Sequence, residues 1–242
     1  MSTPLAAAVV GAAQGLGAAL CQRFAAEGYR VLIAGRTGGK IDKVAQAIAG
    51  AGGSAEPVMT DATSEAEVAR LFDRAMTARN GISPADLVVY NAGNNQRIDF
   101  RELTVEQSEA FWHVGCFLVG CGAARRLVPL GRGTVNFTGV SASLRGKPGY
   151  AQFAAAKPGL RMVAQSMARE YGPLGVHVAH VVIDGGIDGE RLHTRMPQLA
   201  RERGEDRLLS IDAIAEAFWQ IHRQPRTAWT HELELRPFKE SS

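Results

Sequence analysis

The chain has 242 residues, of which 46% are apolar and 21% charged, a composition that suits one globular domain with a large core and argues against two. A net charge of +3 with no block of lysine or arginine argues against nucleic acid or an anionic membrane and leaves a small molecule as the expected partner. Three cysteines, Cys21, Cys116 and Cys121, all within helical stretches, argue against a disulfide framework. No basic residue precedes Leu5 to Val10 and no apolar run reaches membrane-spanning length, so the chain is expected in the cytoplasm.

The first element sets the class. Ala8 to Leu20, AVVGAAQGLGAAL, is an apolar run that breaks into glycines and resumes as a small-residue helix, so it reads as strand, tight turn and helix start. Gly11, Gly15 and Gly17 let backbone approach a pyrophosphate at the positive end of that helix, with Gln14 and Leu16 inside the same turn. Arg30 to Gly35 reads as a second strand, followed at once by Arg36. Where the second strand of a dinucleotide fold meets the adenosine ribose, an acidic residue accepts from a free hydroxyl and an arginine pairs with a 2′-phosphate, so Arg36 favours NADP(H) over NAD(H). Lys40 to Ala49 reads as helix, Ala55 to Thr60 as a third strand ending at Asp61, and the next helix opens with Glu65 and Glu67 in its first turn, well placed for the helix dipole. Ala85 to Tyr90 is a fourth strand, ending in Asn91, Ala92 and Gly93. Strands alternating with helices predict a parallel sheet covered on both faces.

GAAQGLG, then Asp61, then YNAG, in this order and at these intervals, resembles the short-chain dehydrogenase/reductase family from about residue 5 to the C-terminus. The resemblance implies a Rossmann-type doubly wound sheet of about seven parallel strands in a single domain over 1–242, with a cofactor along the carboxyl ends of the strands. It further implies that Asp61 and Ala62 border the adenine, and that the Asn91 to Gly93 turn supports the nicotinamide half. Ile187 resembles the residue whose main chain meets the carboxamide, and residues 189–210 resemble a substrate-covering segment. Val10 stands where the family has threonine.

The region from Thr104 to Pro129 reads as a long helical stretch. It lacks the family's asparagine and is about one turn short, with Gly115 after Val114. Gly115, Gly120 and Gly122 are best explained by close helix packing, and Cys116 and Cys121 by burial, since only His113 offers a basic neighbour. Gly133 to Gly139 is a fifth strand. After it the family has a serine and then YxxxK, whereas this chain has Lys157 preceded by Phe153, in FAAAK, and Val140 in the serine register, with Ser141 and Ser143 nearby. Residues four apart share a helix face, so the lysine can hold the nicotinamide ribose and depress the pKa of a phenol one turn away. Phenylalanine has no proton to give. Tyr150, Ser141, Ser143, Asp184 and Asp188 are the alternative donors, with Tyr150 on nearly the same face. Pro158 predicts a kink beside Lys157.

Val176 to Ile183 reads as the sixth strand, with His177 and His180 on opposite faces, which argues against a metal pair, and no metal is expected. Arg191, His193, Arg195, Arg201, Arg203 and Arg207 would suit an anionic substrate, but pairing with Glu202, Glu205 and Asp206 explains most of these charges. Ile211 to His222 is an amphipathic helix and Trp229 to Leu235 the last strand. Small apolar residues in Ala154 to Ala156 and Met162 to Met167, on helices flanking the fifth strand, lead us to expect a homodimer or homotetramer. Two readings follow: an NADP(H)-dependent oxidoreductase acting on a carbonyl, imine or activated double bond with a non-standard proton donor, or a nucleotide-binding regulatory or scaffold protein that has abandoned catalysis.

Overall fold

The computed structural model describes residues 5–78, 83–93, 95–111, 114–195, 197, 198, 201 and 206–239. Five-to-seven-residue apolar runs form the inner strands β1 (Ala6–Val10), β2 (Arg30–Gly35), β4 (Ala85–Tyr90), β5 (Thr134–Val140) and β6 (His177–Ile183). The edges are β3 (Ser54–Met59) and β9 (Glu232–Leu235). The seven strands pair in the order β3-β2-β1-β4-β5-β6-β9, every pair parallel. The strand order reverses between β1 and β4, and in an open α/β sheet the crevice beyond the carboxyl ends at that point is where ligands bind.

Because side chains alternate along a strand, one sheet carries two cores. Ala7 and Val9 pack with α1 (Leu16–Ala26), α2 (Gly38–Gly50) and α8 (Ile211–His222), while Ala6, Ala8 and Val10 pack with α3 (Glu65–Met76), α5 (Val114–Leu127) and α6 (Ala151–Tyr171). The expected doubly wound fold is the one observed. The expected single long helix before β5 is instead α4 (Val105–Phe111) followed by α5. The glycines of α5 are packing contacts, as expected: a Cβ on Gly122 would run into the Phe72 ring, and one on Gly120 would lie 2.9 Å from the Met167 sulfur. The α6 helix runs unbroken through Pro158. A small parallel pair, β7 (Gly186–Asp188) with β8 (Leu208–Ser210), was not evident in the sequence, and α7 (Glu190–Arg195) follows β7. Among the described residues Asp206 pairs with Lys239 at 3.0 Å, while Glu202 and Glu205 lie outside the described residues. Among the described residues no helix is long and apolar enough to cross a membrane.

His222 closes one end of α8. Its Nε2 lies 2.8 Å from the Tyr29 hydroxyl and its Nδ1 2.8 Å from the Thr134 hydroxyl. Burial, with His177 and Arg223 nearby, pushes its pKa down to about 4, whereas burial pushes Asp86, hydrogen-bonded to Tyr29, up to about 6. A histidine depressed in the folded state binds its proton sooner in the unfolded chain, so its stabilisation is present above about pH 6.5 and is lost as pH falls towards 4. Asp86 acts with the opposite sign between about pH 6 and 4. We expect the stability of wild type relative to His222→Gln to fall by about 2–3 kcal/mol from pH 7 to pH 4, and relative to Asp86→Asn to rise, in urea melts across that range. A pH-independent difference for His222→Gln would contradict this.

Candidate active site at the carboxyl edge of the sheet

The turn after β1 is held by hydrogen bonds from both neighbouring strands. Gly11 and Ala12 donate their N–H groups to the Ala34 carbonyl of β2 at 2.9 and 3.1 Å, and Asn91 Nδ2 donates to the Gly11 carbonyl at 3.1 Å. Gly11 has φ +88°, and a Cβ there would lie 2.5 Å from the Ala92 nitrogen; one on Gly17 would collide with the Gly11 carbonyl. Gly15, the N-cap of α1, has φ 56° and ψ −134° and makes no side-chain cap. No heavy atom lies near where its Cβ would be. Two glycines therefore serve close backbone packing and the third faces open space at a helix start whose first N–H groups have no side-chain cap. That is the geometry an anionic oxygen fits. Leu16 is buried in the core, and exposed Gln14 accepts from Lys40 Nζ at 3.0 Å.

Arg36 is exposed just past the carboxyl end of β2, and its charge helps hold the Asp61 carboxyl below its ordinary range, behind the larger effect of Thr63, which donates from N and Oγ1 at 2.9 and 2.8 Å. Asp61 N–H donates to Glu67 Oε2 at 2.7 Å, so the acidic first turn of α3 also fixes the loop. Ala62 lies over Gly115 of α5. Asn91, Ala92 and Gly93 follow β4 beside the glycine turn, and a Cβ on Gly93 would be 3.6 Å from Lys157 Nζ.

Lys157 is buried in the second turn of α6 and donates from Nζ to the Thr138 carbonyl at 3.2 Å. Burial pushes its pKa down to about 8, opposed by Cys116. Lys157 is thus a basic neighbour of Cys116, while His113 lies outside the described residues. Burial still drives the thiol up to about 11, so it is no nucleophile near neutral pH. Phe153, one turn before Lys157, is 7% exposed and packs with Ala156, Ile98, Val140, Ala142 and Tyr150. Tyr150 precedes the helix as its N-cap and so is not on the helical face of Lys157 in the way the spacing suggests.

The other expected donors are engaged elsewhere. Ser143 Oγ accepts from Val140 N–H at 3.3 Å. Ser141 hydrogen-bonds Asp184, whose two oxygens also lie 2.8 and 2.9 Å from Arg145 Nη2. Despite burial, these partners and Arg236 hold Asp184 below its ordinary range, so it stays a carboxylate at neutral pH and has no proton to donate. Asp188 Oδ1 lies 2.6 Å from His193 Nε2. Ile187 sits in β7 paired with Leu209, half-buried. Sequence reasoning missed three features here: the Lys40 contact with Gln14, the Cys116 neighbour of Lys157, and the Arg145–Asp184 pair. Each joins distant parts of the chain, and only Asp184, a candidate donor in the sequence, left a visible signal.

A family model described as short chain dehydrogenase matches residues 5–198. Among curated proteins, an uncharacterized oxidoreductase, YuxG of Bacillus subtilis, is 32% identical over 192 residues, which is 77% of this chain but 27% of YuxG, so the chain spans about a quarter of that relative's length. Gluconate 5-dehydrogenase of Gluconobacter oxydans is 27% identical over 95% of this chain and 83% of its own. Among solved structures, a short-chain dehydrogenase from Rhodopseudomonas palustris is 35% identical with a TM-score of 0.82, covering 97% of this chain and 99% of that one. A metagenomic short-chain oxidoreductase in complex with NADP, 22% identical, shares the fold at a TM-score of 0.82 over 99% of both chains.

Proposed function

The chain belongs to the short-chain dehydrogenase family, and from that premise we propose that it is an NADP(H)-binding oxidoreductase that reduces a carbonyl, imine or activated double bond of a small molecule. The observation that carries this reading is the convergence, at the strand-order reversal, of an open glycine-capped helix start with Asn91, Gly93 and a buried lysine. Uncapped N–H groups at Gly15 and Leu16 suit a pyrophosphate. Arg36, with Lys40 held over Gln14, suits a 2′-phosphate. Asp61 and Ala62 border the adenine, and Asn91 to Gly93 with Ile187 border the nicotinamide half. Lys157 Nζ, already tied to one carbonyl, has donors left for a ribose hydroxyl.

The nicotinamide, when bound, supplies a hydride. Everything else is done by the chain. Phe153 and Val140 stand in the positions of the family's tyrosine and serine and exclude water from that wall, while Lys157 keeps a proton at Nζ through the neutral range. The proton that completes reduction comes from the Tyr150 hydroxyl or solvent. Residues 189–210 cover the substrate, anchored where Arg191 donates to the Asn95 carbonyl at 3.4 Å. A second reading, a catalytically silent NADP(H)-binding regulatory protein, is favoured by one observation: Phe153, which has no proton to give, stands in the position of the family's tyrosine within an apolar cluster.

If Arg36 selects the 2′-phosphate, NADPH should bind at least about tenfold more tightly than NADH, and Arg36→Asp should reverse the order, a difference of about 1.4 kcal/mol or more. Equal affinities by calorimetry in the natural protein would overturn the assignment. The family premise extends to assembly: exposed Phe117 on α5 and Met162 on α6 favour a homodimer or homotetramer through those helices, in the reducing cytoplasm that three unpaired thiols suit. Sedimentation should show a dimer or larger at micromolar concentration, and monomer alone would contradict it.

A further inference from the structure

The strands β5, β6 and β9 end side by side at the carboxyl edge of the sheet, and each is followed by a charged residue. Asp184 directly follows β6, Arg236 directly follows β9, and Arg145 comes shortly after β5, past the single 3-10 turn Ser141–Ser143. Asp184 is 1% exposed, and its N–H donates to the Leu235 carbonyl at 2.8 Å, which fixes it on the edge. Arg145 Nη2 reaches both carboxylate oxygens, at 2.8 and 2.9 Å, and Arg236 Nε lies 3.5 Å from one of them, so two guanidinium groups share one buried carboxylate. Arg236 is also drawn towards Glu234, at 3.7 Å. Among the described residues, Asp184 is the one acid within ion-pair distance of Arg145.

The chain that carries Arg145 also forms a wall of the candidate site. Lys157 Nζ is on the Thr138 carbonyl, Val140 and Ala142 pack with Phe153, Ser141 hydrogen-bonds Asp184, and the Arg145 N–H closes back on the Ser141 carbonyl at 3.1 Å. Residues 138–145 are therefore one continuous stretch, with the lysine at one end and the guanidinium at the other. Asp184, across from it, leads through Gly185 into β7, the root of the segment that follows β6. A carboxylate is stable out of water only when it is paired, and the cation that pairs this one most closely is itself half-exposed. The pairing orders a long side chain while engaging a single guanidinium nitrogen. Nη1 and Nε keep their N–H groups, none of them hydrogen-bonded among the described residues. A planar guanidinium already held in place loses little freedom on taking a second carboxylate.

We propose that Arg145, held by Asp184, is the specificity-determining residue of this site and takes the carboxylate of an anionic substrate, so that the compound reduced is a small oxo acid. The substrate lies along the 138–145 wall, its carbonyl towards Lys157 and its carboxylate on Arg145. A neutral ketone of the same shape leaves those N–H groups to water and gains nothing from them. The proposal rests on the reading of this cleft as a reductase site, but the receptor needs no turnover to be seen.

The test is calorimetry on the intact protein, with NADP+ present and absent, using pyruvate, acetoacetate and levulinate, each against its methyl ester. Wild type should bind the best of the three acids at least about tenfold more tightly than its ester, the discrimination that charge-assisted hydrogen bonds supply. Arg145→Lys keeps the charge without the planar fork and should retain part of that preference, whereas Arg145→Met should abolish it. Because Arg145→Met takes the closest cation from a buried carboxylate, Arg145→Met with Asp184→Asn removes both charges and decides the matter if the single variant fails to fold. It too should bind acid and ester equally. Equal affinities in wild type, no binding of any of the acids at millimolar concentration, or a preference for the acid that survives in the double variant would overturn the proposal. A preference that depends on Arg145 in a chain that oxidises no NADPH would uphold the receptor and count against the proposed function alone.

Discussion

Gly11→Ala is expected to cost about 2–4 kcal/mol of folding stability and to abolish detectable NADPH binding. Two effects add. An L-residue at φ +88° is strained by about 1–2 kcal/mol, and the new methyl meets backbone, with Ala92 N at 2.5 Å, Ala92 Cα at 2.7 Å and the Asn91 carbonyl carbon at 2.8 Å. Backbone cannot swing aside as a flexible side chain can, so the end of β4 must shift, and Asn91 would lose its bond to the Gly11 carbonyl. Gly15→Ala provides the contrast. Its methyl meets nothing, so the cost is backbone strain alone, about 1–3 kcal/mol, but it projects over the open helix start, and NADPH affinity should fall at least about tenfold. Urea denaturation and calorimetry on the two variants separate the effects. A Gly11→Ala protein as stable as wild type would show that the turn is not packed as described.

Restoring the missing pair is expected to release rate. A positioned general acid contributes about a hundred- to ten-thousand-fold, so Val140→Ser with Phe153→Tyr should raise NADPH-dependent reduction of simple activated carbonyls into that range above the natural protein. The geometry favours the change because Phe153 and Val140 already share one cluster and Lys157 lies one turn from Phe153, so a hydroxyl on the ring would be close to both. Lys157→Ala in the double variant should abolish the gain. If the natural protein turns over rapidly and the double variant is slower, another group supplies the proton. Tyr150 then leads, since Asp184 is held as a carboxylate by Ser141 and Arg145.

Much of this molecule was legible because its information is local. The fourth strand, Ala85–Tyr90, and the helix Ile211–His222 match the expected spans, one a buried apolar run and the other an amphipathic stretch with Ser210 as cap. The glycine turn was equally readable, though only coordinates divide its labour between packing, at Gly11 and Gly17, and an open face at Gly15. Pro158 lies inside α6, which is buried along Phe153, Lys157, Leu160 and Ala164, and that packing carries the helix across one missing N–H. The three-residue strands β7 and β8 are too short to leave a periodic pattern. The Arg145–Asp184 pair, the Cys116 neighbour of Lys157 and the Glu232–His180 contact each join segments far apart in sequence, where spacing carries no signal.

The most direct test of the account is a crystal structure of the protein with NADPH. The account predicts the pyrophosphate against the N–H groups of Gly15 and Leu16, the 2′-phosphate within hydrogen-bond reach of Arg36, and a nicotinamide ribose hydroxyl on Lys157 Nζ. A dinucleotide bound elsewhere, or no binding at millimolar NADPH, would contradict it.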